Sequence, residues 1–203
     1  EGLYVGYRYY ETTNKAVRYP FGYGLSYTTF AYSALQVNAD NVTFTLTNTG
    51  RRAGAEIAQL YVAKPDAKIF RPAKELKGFA KVFLKAGESK TVTIPLDDKT
   101  FRYWNVATDR WEVEGGSYRL LVGASVQDIR LTAQLALPGT GAPDPYAGRK
   151  LLDYRTGNIQ NVPDAEFEAL LDRPLPQEKT AIDRTMTLGE LHHSRSPLCW
   201  LIS

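Results

Sequence analysis

The chain has 203 residues, and its 25 lysines and arginines against 22 aspartates and glutamates give a formal net charge of +3. This length suits one full domain with an extra piece, and a hydrophobic content of 43% is typical of a globular protein. The weak and mixed charge argues against a nucleic-acid partner, no apolar stretch approaches the roughly 18 residues of a membrane span, and a single cysteine excludes both an internal disulfide and a cysteine-based zinc site.

Residues 1–30 combine nine tyrosines and phenylalanines with four glycines. Such a mixture is unsuited to a helix and too interrupted for a long strand. We expect a loop-like segment whose rings are buried against something large, since aromatic rings bury much area at low conformational cost. The alternative is a surface loop with scattered exposed rings.

From Tyr32 onward the apolar residues alternate with polar ones at period two, which is typical of strands with one buried face. The run from residue 57 to 62 is almost continuously apolar and predicts a strand that is buried on both faces or lies at the centre of a sandwich. Gly78 predicts a bulge, and Pro95 predicts an edge or terminal position in its strand. Strands are expected from Tyr32 and over residues 42–47, 57–62, 76–84, 91–96, 117–123 and 129–137. In the last strand, Ile129, Leu131, Ala133, Leu135 and Leu137 should share one face.

About seven short strands in roughly 100 residues, joined by turn signals, predict an all-β fold of the immunoglobulin-like sandwich class. The fibronectin type III kind is the better match, because the cysteine pair of antibody domains is absent. An aromatic-rich N-terminal extension and a short, partly helical C-terminal tail complete the chain. The predicted division is residues 1–30, 31–137 and 138–203.

Residues 138–148 are rich in proline, glycine and alanine and predict a linker. A short helix is expected over residues 163–171 with Asp164 as its cap, and a second is expected after Thr185 or Thr187 with Glu190 in its first turn. This tail is too small to build its own core. The chain begins with Glu1 and ends in an apolar run, so we expect it to be a piece of a larger protein.

Three aromatic residues are candidates for a sugar-stacking platform: Tyr103, Trp104 and Trp111. The alternative is that these rings fill the sandwich or dock on a partner domain. Phe70 and Arg71 lie in a long proline-bearing loop and are candidates for reaching a neighbouring active site.

The carboxylates offer little sign of catalysis. Asp97 with Asp98 and Glu166 with Glu168 are typical of solvated faces and turns, and only Glu112 and Glu114 are spaced to share one side of a strand. Two adjacent histidines point to different sides of any regular element, so we expect no metal site at His192 and His193. Nothing marks Cys199 as a nucleophile, and no cofactor-binding motif is present.

Several motifs resemble one enzyme family. The segments EGLYVGYRYY (residues 1–10) and YPFGYGLSYT (residues 19–28) are similar to the end of the α/β sandwich domain in family 3 glycoside hydrolases, the β-glucosidase and β-xylosidase family. The following motifs are similar to the fibronectin type III-like domain of the same enzymes: TNTG (47–50), QLYV (59–62), RPAKELKGF (71–79) and LVGAS (121–125). The resemblance covers residues 1–137, and the tail from Pro163 resembles an extension in some bacterial members.

The resemblance implies a retaining enzyme that uses an aspartate nucleophile on a barrel domain and a glutamate acid/base on the α/β sandwich domain. The Ser-Asp-Trp context of the nucleophile is absent here, and the acid/base region would precede Glu1. No catalytic residue is therefore assigned to this chain.

The implied function is a non-catalytic stabilising module. Its partners would be the barrel and α/β sandwich domains of the parent enzyme, and the isolated chain is expected to self-associate. The residues expected at the domain interface are Tyr7, Phe21, Tyr23 and Tyr27. The alternative is a carbohydrate-binding module. The chain is expected to share the compartment of its parent enzyme, which is either the bacterial cytoplasm or the outside of the cell.

Overall fold

The computed structural model describes residues 2–175 together with residues 187 and 190. The chain divides into one compact unit spanning Glu1–Val162 and a second spanning Pro163–Ser203. The first unit contains, in chain order, α1 (Tyr7–Thr12), β1 (Phe30–Val37), β2 (Asn41–Asn48), β3 (Gly54–Ala63), β4 (Glu75–Leu84), β5 (Ser89–Pro95), β6 (Arg102–Asn105), β7 (Arg110–Val113), β8 (Gly116–Gly123), β9 (Ile129–Leu137) and α2 (Leu152–Thr156). No helix among the described residues is long and apolar enough to cross a membrane.

The strands form a two-layer antiparallel sandwich. One sheet has the order β1-β2-β5, and the other has the order β4-β3-β8-β9. These two sheets confirm the predicted fibronectin type III-like sandwich. The remaining pair, β6 and β7, is an antiparallel hairpin between β5 and β8 that the periodicity did not predict.

The core between the sheets follows from alternation along the strands. On β2, Val42, Phe44 and Leu46 are buried, whereas the intervening threonines are only partly buried. Full burial of one such side chain contributes about 1.5–3 kcal/mol. The other fully or nearly buried members of this core are Ala58, Leu60, Val62, Leu84, Val92, Ile94, Leu96, Phe101, Tyr118, Leu120 and Val122.

The prediction that the run over residues 57–62 is buried on both faces is confirmed from Ala58 onward, while Ile57 itself is exposed. Ala58, Leu60 and Val62 face the sandwich core, and Tyr61 belongs to a second cluster on the outer face of the four-stranded sheet. The outer face of this strand is therefore covered by another part of the chain.

Two predicted irregularities are confirmed. The β3–β4 register shifts where Leu60 pairs with Gly78 but Tyr61 pairs with Leu76, so Lys77 is the extra residue of a bulge. A Cβ on Gly78 would lie 2.5 Å from the Ile94 side chain, which requires glycine there. Pro95 ends β5, and β5 is an edge strand of its sheet.

One face assignment on β9 is wrong. Leu131, Leu135 and Leu137 pack on the sandwich core, but Ile129 packs on the outer cluster with Tyr61. The cause is a register shift at Gly123, which pairs with Ile129. A Cβ on Gly123 would lie 2.2 Å from the Asp128 carbonyl oxygen, so glycine permits this tight approach.

Residues 138–148, predicted as a linker, form an ordered connection. Thr140 N donates to the Val113 carbonyl at 2.9 Å, and Asn105 Nδ2 donates to the Pro143 carbonyl at 2.8 Å. Composition alone did not predict these long-range hydrogen bonds. A proline- and glycine-rich segment becomes ordered when its backbone groups find hydrogen-bond partners.

In the second unit, α3 spans Asp164–Leu171. Pro163 occupies the N-cap position, so Asp164 is the first helical residue rather than the predicted cap, and its carboxylate still suits the helix N-terminus. Further on, Thr187 N and Oγ1 both donate to Glu190 Oε2, at 2.7 and 2.9 Å. This is the contact expected of a capping box.

Candidate domain-interface site

An N-terminal aromatic layer covers part of the outer face of the four-stranded sheet, around Tyr61. The Tyr7 ring stacks on Phe21 at 4.4 Å and meets the fully buried Tyr61 edge-on at 6.2 Å. The Tyr7 hydroxyl accepts a hydrogen bond from Leu76 N at 2.8 Å. Two of the predicted interface residues, Tyr7 and Phe21, are therefore packed together on β3 and β4.

Gln59 attaches this layer to the sheet. Its side-chain Nε2 donates to the carbonyl oxygens of Gly22 at 3.1 Å and Ala124 at 2.7 Å, and its Oε1 accepts from the Tyr61 hydroxyl at 2.6 Å. A Cβ on Gly22 would lie 2.0 Å from Gln59 Oε1, and the φ of Gly22 is +79°. Glycine is required at this position for both reasons.

Beside the aromatic layer, Glu11 forms an ion pair with Lys74 and a hydrogen bond with Gln127. Glu11 Oε2 pairs with Lys74 Nζ at 2.9 Å, and its Oε1 accepts from Gln127 Nε2 at 2.8 Å. Lys74 Nζ also donates to the Val126 carbonyl at 2.6 Å. This small network is largely buried, since the Glu11 side chain is only 9% exposed. A cavity of about 190 Å³ opens beside it and is lined by Tyr7, Tyr10, Glu11, Val17, Tyr19 and Phe21.

Past Gly22, the side chains of Tyr23, Leu25 and Tyr27 are open to solvent. We call these three residues the outward strip; their exposed fractions are 49%, 88% and 92%. Tyr23 and Tyr27 were predicted at an interface, and the structure leaves both largely open to solvent. Other exposed apolar residues of the four-stranded sheet are Ile57, Phe79 and Phe83.

The β6–β7 hairpin separates the three rings predicted as a sugar platform. Trp104 pairs directly with Trp111 across the hairpin, so these two rings share one face, and Tyr103 points to the other. The indole planes meet at 78°, and Arg102 lies 4.4 Å from the Trp111 ring centre. Because the rings are nearly perpendicular, the three residues do not form one flat surface.

Phe70 and Arg71 are held inside the first unit. The Phe70 ring lies 4.8 Å from Tyr146 and 5.7 Å from Tyr154. The Arg71 guanidinium lies over the Tyr103 ring at 5.2 Å, and its Nε is 3.5 Å from Glu114 Oε2, with both side chains 11% exposed. These contacts bring Arg71 and Tyr103 together, and they join the long loop to the hairpin.

The paired carboxylates make local structural contacts. Asp97 accepts hydrogen bonds from Lys99 N and the Thr100 hydroxyl, both at 3.0 Å, and the Thr100 bond is the main cause of its lowered pKa. Glu112 accepts from the Thr108 hydroxyl at 3.0 Å, and Glu114 accepts from Lys68 N at 2.6 Å. Each contact is of the kind that fixes a turn or a loop.

No group of three or more metal-ligating side chains occurs in the part of the chain that the structure describes. His192, His193 and Cys199 lie outside the described residues.

The environment of Glu56 predicts that the stability of the sandwich depends on pH. Burial raises the pKa of this carboxyl above its usual value. A raised native pKa means that stability is lost as the pH rises from the unfolded-state pKa through the native one. We therefore expect Glu56→Gln to be more stable than the parent chain at pH 7 and equal to it below about pH 4. Urea unfolding at both pH values measures this difference.

Glu88→Gln is the matched control with the opposite sign. Lys85 N donates to Glu88 Oε2 at 2.7 Å and lowers the pKa of that carboxyl. This variant should be less stable than the parent at pH 7, and the loss should disappear at low pH. A Glu56→Gln variant that is equally or less stable at pH 7 contradicts the burial argument.

Sequence reasoning missed Gln59 and Glu11 as the polar anchors of the aromatic layer. The available signal was the polar Gln59 inside the apolar run over residues 57–62, because a buried amide requires hydrogen-bond partners. No comparable signal marked Glu11.

Comparisons with known proteins agree with this architecture. A family model described as fibronectin type III-like domain matches residues 56–126. An exo-α-(1→6)-L-arabinopyranosidase from Bifidobacterium breve is 51% identical over 150 residues, covering 71% of this chain and 20% of that protein. The thermostable β-glucosidase B of Acetivibrio thermocellus is 46% identical over 148 residues, covering 69% of this chain and 20% of that protein.

Solved structures give the same result. The GH3 β-glucosidase of Bifidobacterium adolescentis superposes with a TM-score of 0.66 at 38% identity, covering 100% of this chain and 25% of that chain. The β-glucosidase 3B of Thermotoga neapolitana superposes with a TM-score of 0.58 at 42% identity, covering 66% of this chain and 19% of that one. The chain thus spans about a fifth of the length of the curated relatives it matches.

Proposed function

We propose that this chain, which carries the fibronectin type III-like domain of the family 3 glycoside hydrolases, is a non-catalytic module that stabilises the catalytic domains of such an enzyme. The observation that supports this most strongly is apolar surface facing solvent. Leu25, Tyr27 and Phe79 are 88%, 92% and 67% exposed. Leu25 and Tyr27 lie two positions apart on one segment, and large exposed apolar residues grouped in this way are typical of an interaction site.

The partners that fit this surface are the domains that the relatives carry outside the matched region. The two bacterial relatives each have about four-fifths of their length beyond it. The resemblance implies that these are a barrel and an α/β sandwich domain. Burying large apolar side chains against them would stabilise the whole enzyme by about 1.5–3 kcal/mol for each side chain fully buried.

The proposed parent activity is retaining hydrolysis of β-glucosides or related glycosides. Such chemistry uses two carboxyl groups about 5–5.5 Å apart across the glycosidic bond. One relative is named for an arabinopyranoside and another for a β-glucoside, at 51% and 46% identity to this chain. Similar identity to relatives named for different sugars supports the proposal that sugar choice is determined in the other domains of the parent enzyme.

A fusion enzyme tests this function. In the fusion, this chain replaces the matching 20% of the Bifidobacterium breve relative. We expect the fusion to hydrolyse nitrophenyl α-L-arabinopyranoside, while the isolated chain turns over no nitrophenyl glycoside. The control is the same relative truncated to lack the matched part, which should be inactive or unstable to heat.

Turnover by a preparation of the isolated chain that is free of host enzymes contradicts the proposal. A truncated relative that is as active and heat-stable as the fusion contradicts the stabilising role.

The carbohydrate-binding alternative depends on a flat surface made by Tyr103, Trp104 and Trp111. The nearly perpendicular indoles and the opposite direction of Tyr103 do not supply one. The observations therefore favour the stabilising role.

A further inference from the structure

We infer that the outward strip, Tyr23, Leu25 and Tyr27, is a docking edge that receives one extended, apolar-faced segment from the other domains of the enzyme. This inference rests on the proposed function and names the surface and the chemistry of the partner. The partner segment would bury its apolar side chains against the strip and pair its backbone with residues 24–27.

The direction of the side chains is the first observation. Apolar residues alternate with small ones from Phe21 to Tyr27, which is the pattern of a strand with one buried face. Three of the small residues face the sandwich. Gly22 lies against Gln59, and the Ser26 and Thr28 side chains lie within 3.4 and 2.8 Å of where a Cβ on Gly54 would stand, whereas a Cβ on Gly24 would meet no atom within 4 Å. The side chains of Leu25 and Tyr27 are 88% and 92% exposed, so they are open to a partner.

The backbone supplies the second observation. In the region that the structure describes, no backbone–backbone hydrogen bond involves residues 24–27. Backbone without internal hydrogen-bond partners is available for strand addition, in which main-chain hydrogen bonds give affinity and alternate side chains give specificity.

Anchors at both ends hold the strip in place. The Phe21 carbonyl accepts from Val126 N at 2.9 Å, and the Thr29 carbonyl accepts from Thr49 N at 2.9 Å. The Thr28 hydroxyl donates to Asn48 Oδ1 at 2.6 Å. A segment ordered in advance loses less conformational entropy when its partner binds.

The chemistry of the partner follows from the strip. Residues 19–30 contain no charged side chain, so the matching surface is apolar and uncharged. We assign it to the other domains of the parent rather than to a second copy, because the bacterial relatives carry about four-fifths of their length outside the matched part.

The test places the same substitutions in two contexts. Leu25→Ser with Tyr27→Ser should leave the melting temperature of the isolated chain unchanged, because both side chains are already open to solvent there. In the fusion with the Bifidobacterium breve relative, the same pair should lower the melting temperature by several degrees and shorten the half-life of activity. The control is Val106→Ser, an exposed apolar residue away from the strip, which should change neither protein.

Hydrogen exchange provides a second readout. Amides of residues 24–27 should exchange rapidly in the isolated chain and at least about tenfold more slowly in the fusion. Slower exchange there, together with loss of stability in the double variant of the fusion alone, supports the docking edge.

Any one of the following results would overturn the inference. An active fusion that tolerates both substitutions and leaves these amides unprotected overturns it while leaving the proposed function intact. Equal destabilisation of the isolated chain would show that the strip packs within the chain itself. If the isolated chain sediments as a dimer that the double variant dissociates, with no effect in the fusion, then the occupant is a second copy. A fusion that neither folds nor hydrolyses overturns the proposed function, and this inference with it.

Discussion

Replacing Asn48 by alanine is expected to lower the free energy of unfolding by about 2–4 kcal/mol, because it removes several buried hydrogen bonds at once. Asn48 is fully buried. Its Nδ2 donates to the carbonyl oxygens of Arg52 at 2.8 Å and Leu84 at 3.1 Å. Its Oδ1 accepts from the Thr28 hydroxyl at 2.6 Å and Gly50 N at 3.0 Å. One side chain thus ties together the end of β2, the following turn, the end of β4 and the segment that leads into β1.

Asn41→Ala is the matched control, since Asn41 begins the strand that Asn48 ends and lies half-buried. Asn41 N donates to Asn38 Oδ1 at 2.9 Å, a bond that alanine keeps. No hydrogen bond of the Asn41 side chain is found in the described part of the chain, so its replacement should stay within about 0.5 kcal/mol of the parent. Urea unfolding followed by fluorescence measures both variants. A second variant, Asn48→Asp, turns a carboxylate oxygen toward the buried Arg52 and Leu84 carbonyls, so at pH 7 it should be at least as destabilising as alanine. An Asn48→Ala midpoint equal to that of Asn41→Ala would contradict the argument.

The sandwich was predictable from sequence because its strands obey a simple rule. Alternation on β2 and the continuous apolar run on β3 each reflect how many faces of the strand are buried. The β6–β7 hairpin was not predictable in this way. Its strands, Arg102–Asn105 and Arg110–Val113, are four residues long and mix charged and aromatic side chains, so neither face carries an apolar signal.

The aromatic segment at the N-terminus was predictable only in part. Tyr7 packs on the sandwich, as rings of this kind usually do, but Tyr27 is 92% exposed. Sequence pattern shows that a face is apolar, and it does not show which polypeptide covers that face. The contact between Tyr103 and Arg71 was not predictable from a local pattern either, because the two residues lie 32 positions apart in sequence (103 − 71 = 32). Contacts of that kind are fixed by the fold and leave no local signal.

Tyr61→Ala is the variant expected to detach the N-terminal aromatic layer, with a loss of about 3–5 kcal/mol in the free energy of unfolding, as for other large aromatic residues removed from a core. Tyr61 is fully buried and belongs to the outer cluster with Ala63, Leu121 and Val126. Burial raises the pKa of its hydroxyl, so the hydroxyl stays protonated and donates to Gln59 at neutral pH. The alanine variant removes both the ring beneath Tyr7 and the donor to Gln59.

Limited trypsin digestion separates loss of this layer from unfolding of the whole sandwich. Arg8, Lys15 and Arg18 lie in the N-terminal segment, so the variant should be cut there sooner than in the sandwich. Tyr61→Phe keeps the ring and should lose only about 1 kcal/mol, because one hydrogen bond is removed. Phe79→Ala is the control: this ring lies on the same sheet but is 67% exposed, so its loss should be small in the isolated chain. If Tyr61→Ala leaves both the trypsin pattern and the unfolding midpoint unchanged, then the aromatic layer is not held by Tyr61. The attachment would then rest on Gln59 and the Glu11–Lys74 pair.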